Sequence, residues 1–206
     1  MRTYLLIKPE STHLLRQLGE VLKTQELKYR EEGENEKAYF CDVVERGIDL
    51  AMNRDGNVSK EGLAFVRAGV MSEELFDKVY PTPLGGEKGQ RFREHLVGNA
   101  YYMIGVNLPE WVEDSGHGLA TEIKGKYATY EKPEGVGLRG AMKEAYVKLG
   151  SFLPSEMENF VHMPDSDAEA SGVFDFLRDK SVSEEGQMIF DNREGGSLAG
   201  KELSRA

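Results

Sequence analysis

The stretch Asn159-Phe160-Val161-His162-Met163-Pro164-Asp165-Ser166-Asp167 decides how the C-terminal half of this chain is built. Phe160, Val161 and His162 form a short, largely apolar step that reads as a strand. Pro164 ends it, and Asp165, Ser166 and Asp167 make a turn rich in carboxylate and hydroxyl groups. Val173, Phe174 and Leu177 then recur at helical spacing. An imidazole at the end of a strand, facing such a turn, can be oriented by a hydrogen bond and act as a nucleophile. A lone histidine on a short strand is more often a satisfied structural residue than a nucleophile, so its meaning depends on the rest of the chain.

Working outward, Thr3-Tyr4-Leu5-Leu6-Ile7 predicts a buried strand stopped by Pro9. Leu14, Leu15, Leu18, Val21, Leu22 and Leu27 predict a helix from Ser11 to about Glu32, with Ser11 or Thr12 as its cap. Asp55-Gly56 after Ile48-Asp49-Leu50-Ala51-Met52 suggests a hairpin. Leu63 to Val70 and Ala100 to Val106 are further strand candidates. Between them, Ser72-Glu73-Glu74 opens a helix reaching Tyr80, and another helix runs through Phe92 and Leu96. The alternation predicts an α+β protein, a ferredoxin-like sandwich in which an antiparallel sheet of about four strands is covered by helices. From Ser181 the chain is polar and reads as a tail, residues 181–206.

Composition narrows the partners. A net charge of -10 over 206 residues argues against binding to a nucleic-acid backbone, which needs a basic face. A nucleotide site needs only a few local cations. The single cysteine, Cys41, fits a reducing compartment. No apolar run approaches a membrane span, and Lys8 and Pro9 break the N-terminal run too early for a signal peptide, so a cytoplasmic location is expected.

Three further signals are each weak alone. Gly135-Val136-Gly137-Leu138-Arg139-Gly140 is a Gly-rich loop with one fixed cation, suited to an anion but lacking the Gly-Lys of a P-loop. Lys8, at the end of the first strand, is either a solvated strand end or a point charge projected into a cleft. Asn53-Arg54-Asp55-Gly56-Asn57 lacks the acids of a calcium loop and reads as a turn.

Together these segments resemble the nucleoside diphosphate kinase family, in order, over most of residues 1–178. Arg2-Thr3-Tyr4-Leu5-Leu6-Ile7-Lys8-Pro9-Glu10 is similar to its opening Arg-Thr-x-x-x-Ile-Lys-Pro-Asp. Phe92-Arg93-Glu94-His95-Leu96-Val97 resembles its Phe-x-x-Leu-Val helix. Pro133 to Gly140 resembles its Pro-Gly-Thr-Ile-Arg-Gly loop, and Asn159 to Ala170 its active-site histidine segment. The resemblance implies one domain over residues 1–180, with insertions near 33–62 and 141–158. It implies transfer of the γ-phosphoryl group of ATP to a nucleoside diphosphate through a phosphohistidine at His162. Lys8, Arg139 and Thr129 would neutralise phosphates, Asn159 would bind the sugar or a phosphate, and Tyr80 with Phe92 would sandwich the base. Mg2+ is the implied cofactor and a homo-oligomer the implied assembly. The chain departs from the pattern at Met163 and Pro164, where the family has Gly-Ser. The family's ring-steering Glu falls on Val173, so Glu169 or Asp175 takes that place only with a shift of register. Lys124 and Lys126 are the nearest matches to a further family cation. The alternative is a nucleotide-binding or assembly module of the same fold without transfer activity.

Overall fold

The computed structural model describes residues 1–53, 57–82, 85–112, 116–125, 137–149, 159–179 and 186–192. Strand β1 (Arg2–Ile7) is buried from its second residue onward. Lys8 and Pro9 turn it into a short 3-10 helix, Pro9–Leu14, which suits the fixed φ of proline at a first helical position. Helix α1 (Leu15–Glu32) therefore begins later than the Ser11/Thr12 cap predicted, without a side-chain cap. Gly33 ends it at φ 79°, a left-handed cap that glycine adopts without steric cost.

Helix α2 (Asn35–Asn53) replaces the hairpin expected before Asp55-Gly56. Its buried Phe40, Val44, Ile48 and Ala51 continue one 3.6-residue period, and packing on α1 and the sheet outweighed the local Asp-Gly signal. Residues 54–56 themselves lie outside the described residues. β2 (Leu63–Val70), α3 (Glu73–Val79), α4 (Gly86–Leu96) and β3 (Ala100–Asn107) follow as expected. Ser72 caps α3 by accepting the amide of Leu75 at 3.0 Å. Next come α5 (Gly116–Lys124), α6 (Gly137–Lys148), β4 (Val161–His162), α7 (Asp167–Asp179) and β5 (Gly186–Asp191). Arg139 thus sits in the first turn of α6 rather than in a loop.

The sheet has the order β4-β1-β3-β2-β5 and every pair is antiparallel. Its first four strands give the ferredoxin-like arrangement of an α+β sandwich. β5 is the fifth strand, formed by residues expected in the polar tail. It is sparingly apolar, and pairing with the open edge of β2 gives it a place. Side chains alternate along β1 between two cores. Leu5 and Ile7 join α1, α2, α5 and α6 on one face. Tyr4 and Leu6 join α3, α4 and α7 on the other.

Candidate functional site

The site lies where β1 ends and β4 runs beside it. His162 pairs with Leu6 of β1, so its ring points to the face that carries Leu6 and Tyr4. It is 4% exposed. Its Nε2 lies 2.7 Å from Oε1 of Glu169, and this is the ring's hydrogen bond among the described residues, leaving Nδ1 without one.

Glu169 stands in the first turn of α7 because Ser166 opens that helix. The Ser166 hydroxyl accepts the Glu169 amide at 3.1 Å, half of a Ser-x-x-Glu capping box. In the full box the Glu side chain would return to the amide of the cap residue. Here Oε2 accepts the amide of Asp165 at 3.0 Å, and Oε1 turns inward to His162 and to the Tyr4 hydroxyl, which donates at 2.8 Å. The positive end of α7 adds to the stability of the carboxylate. Of the two register-shifted acids, Glu169 occupies the place; Val173 lies in the core, and exposed Asp175 pairs with Arg178.

Burial pushes the His162 imidazole below its ordinary value. The Glu169 carboxylate pulls it back by hydrogen bond and charge, and Lys124 and Lys8 add to the lowering. The net direction is downward, so the ring is neutral near pH 7. With Glu169 ionised, Nε2 carries the proton and donates, and Nδ1 keeps its lone pair.

Cations surround this ring. The ammonium of Lys8, 1% exposed, donates to Oδ1 of Asn159 at 2.5 Å and lies 4.9 Å from the centroid of Phe92. Arg139 donates through Nε and Nη2 to the carbonyl of Val161, at 3.2 and 3.1 Å. Lys124, at the end of α5, donates to the Met163 carbonyl at 3.2 Å and pairs with Asp165. Burial raises the Asp165 carboxyl, but the Lys124 ammonium outweighs it and holds the group below its usual range.

A strained turn holds Asn159 in this arrangement. Phe160 has φ 66°, and the Val161 amide donates back to the Asn159 carbonyl at 2.7 Å, the rarer form of γ-turn. Glu10 clamps it by accepting the Phe160 amide through Oε1 at 2.9 Å, while Oε2 meets Nε2 of His95 at 2.9 Å.

Six of the seven residues singled out in the sequence therefore converge: Lys8, Tyr80, Phe92, Arg139, Asn159 and His162. Thr129 lies outside the described residues. The expected slot between Tyr80 and Phe92 is absent. Their rings pack edge to face at 4.9 Å, and Tyr80 leans over His162 at 4.6 Å. Aromatic edges attract ring faces, which holds this pair together. Sequence reasoning missed Tyr4, whose signal was only that it shares a face with Leu6. It offered Glu169 only beside Asp175 and only with a shift of register, although the Ser166-x-x-Glu169 box marks it.

No family model and no curated protein matches the chain. Among solved structures, nucleoside diphosphate kinase from Encephalitozoon cuniculi is similar with 14% identity and a TM-score of 0.45, over 93% of this chain and 96% of that one. The Aquifex aeolicus nucleoside diphosphate kinase has 13% identity and a TM-score of 0.45, over 85% and 93%. A Borrelia burgdorferi nucleoside diphosphate kinase with bound vanadate and ADP has 12% identity and a TM-score of 0.41, over 93% and 94%.

Proposed function

We propose that this chain transfers the γ-phosphoryl group of a nucleoside triphosphate to a nucleoside diphosphate by way of His162. The observation that supports it best is the geometry of the ring: Nε2 is held by Glu169, Nδ1 has no hydrogen bond among the described residues, and Lys8, Arg139 and Lys124 lie around it, while burial lowers the imidazole's proton affinity. The Nδ1 lone pair attacks the γ-phosphorus, the bond to the bridging oxygen breaks, and the diphosphate leaves with that electron pair. A terminal oxygen of the second diphosphate then attacks the phosphorus, and the P–N electron pair returns to Nδ1. Glu169 stabilises the positive charge that develops on the ring in the first step. The buried cations offset phosphate charge.

The residues around His162 offer cations and an amide, a donor set for phosphate oxygens rather than for a bare metal ion. Among the described residues no group of three His, Cys, Asp or Glu could hold a metal. Magnesium fits this site as an ion carried by the nucleotide phosphates, where it would neutralise charge and orient the γ-phosphoryl group. Its location in the cytoplasm and a homo-oligomeric state belong to the same proposal; light scattering in solution tests the assembly. Among the described residues no helix is long and apolar enough to cross a membrane.

The test is incubation with γ-labelled ATP and magnesium. An acid-labile, base-stable label on the wild-type protein, absent from His162→Ala and discharged by a nucleoside diphosphate, is the expected result. No label on wild type sinks the reading. A second reading, a nucleotide-binding module without transfer, is favoured by the closed aromatic pair over His162. It predicts a thermal shift with ADP and magnesium but no label.

A further inference from the structure

Glu169 Oε1 accepts two hydrogen bonds at once, from the His162 ring and from the Tyr4 hydroxyl. Tyr4 is fully buried in β1, two residues before the Leu6 that faces His162, so it is the diagonal neighbour of the histidine on the same face. Its ring centroid lies 6.2 Å from that of His162, and its hydroxyl reaches past the ring to the carboxylate on α7. A phenol at this depth in the core needs a partner, and a carboxylate with two inward lone pairs supplies one. We propose that Tyr4 is a positioning residue for His162, acting through Glu169. Its hydroxyl fixes Oε1 and shares the oxygen's charge, so that the carboxylate steers the ring without drawing its proton too strongly. The proposal rests on His162 being the phosphoryl carrier for its catalytic meaning, but the geometry is independent of that reading.

The physical consequence has a definite sign. Hydrogen bonds to a carboxylate spread its charge and lower its basicity. Removing the Tyr4 donor leaves Oε1 to Nε2–H alone and concentrates charge there, which favours the protonated imidazole. The other charged and titratable groups around the ring are Lys8 at the end of β1, Tyr80 at the end of α3, Lys124 on α5, Arg139 on α6 and Asp165 before α7. All of them are unchanged by removal of one hydroxyl. Burial, then Glu169, already raises the Tyr4 phenol well above its ordinary value, so it stays a neutral donor across the working range.

The experiment is an NMR titration of the histidine rings in nucleotide-free protein, with His162 assigned by the signal lost in His162→Asn. In Tyr4→Phe, which keeps the ring and its packing, the His162 midpoint should move up by about 0.5–1 pH unit. In Glu169→Gln the same Tyr4→Phe change should move it little, because the carboxylate that links them is gone. Equal midpoints in wild type and Tyr4→Phe overturn the proposal, as does an equal shift in both backgrounds. A purely structural tyrosine would lower the melting temperature and leave the midpoint alone. Since no nucleotide is present, the titration stands whether or not the protein takes label from ATP. Where label is taken, Tyr4→Phe should also move the acid limb of the labelling rate upward by the same interval.

Discussion

At the residue scale, the chemistry depends on how one carboxylate divides its attention. Glu169 raises the His162 imidazole against the effect of burial, so its replacement has a predictable sign. Glu169→Gln should move the His162 midpoint further down and slow labelling by about 100-fold, because the charge that offsets the developing imidazolium is lost. Stopped-time labelling at several pH values checks both. In the wild-type protein the labelling rate should stay flat through neutrality and fall only below the ordinary histidine value of about 6.5. The same lowering links to stability. Between pH 6.5 and the folded value, the unfolded chain binds the proton more readily than the folded protein. Stability should therefore fall as the pH drops through that window, and more shallowly in His162→Asn; denaturant midpoints at pH 7 and pH 5.5 measure it. Lys8, Arg139, Asn159 and His162 were legible in the sequence because each sits in a short motif tied to a strand end or to the start of a helix. Glu169 could not be separated from Asp175, because its place is set by the first turn of α7, seven residues from the histidine, and not by a fixed count from it.

At the scale of elements, two positions carry tension that the sequence did not announce. Arg67, in the middle of β2, is 0% exposed; its Nε donates to the Tyr101 hydroxyl at 3.0 Å, but among the described residues Nη1 and Nη2 have no partner. A buried cation satisfied at one nitrogen costs more than its bond returns. Arg67→Met should raise stability by about 1 kcal/mol or more, contrary to most core substitutions, as read by thermal melting. Gly47 on α2 marks the close approach of that helix to the sheet: an added Cβ would lie 2.6 Å from Cγ2 of Ile104. Alanine is favoured over glycine in a helix by about 1 kcal/mol, but here the clash wins, and Gly47→Ala should cost about 1–3 kcal/mol. The same packing explains why residues 48–52 are helical. Their apolar period matched α2 all along, and the Asp-Gly pair that follows them suggested a hairpin only because turn chemistry is local while the α1–α2 contact is not.

Across the whole molecule, β5 shows how an edge can recruit a strand. Gly186–Asp191 covers the open side of β2 and buries Phe190. Ending the chain after residue 180 should lower the melting temperature by at least about 3 °C, given roughly 1.5–3 kcal/mol for one large buried side chain, and should promote self-association through the exposed edge. Melting and light scattering of the shortened chain read both effects. The sequence alone carried the α+β class, the four strands β1 to β4, the helices that hold Tyr80 and Phe92, and a cluster of cations around a histidine. All of these depend on periodicity and on residue type within a few positions. Only the tertiary structure decided that Glu169 holds His162, that Tyr4 shares that carboxylate, that Tyr80 and Phe92 close on each other, and that a fifth strand completes the sheet. Each of these joins segments distant in the chain, where the free energy of burial and of satisfying buried polar groups selects a partner that no local pattern names.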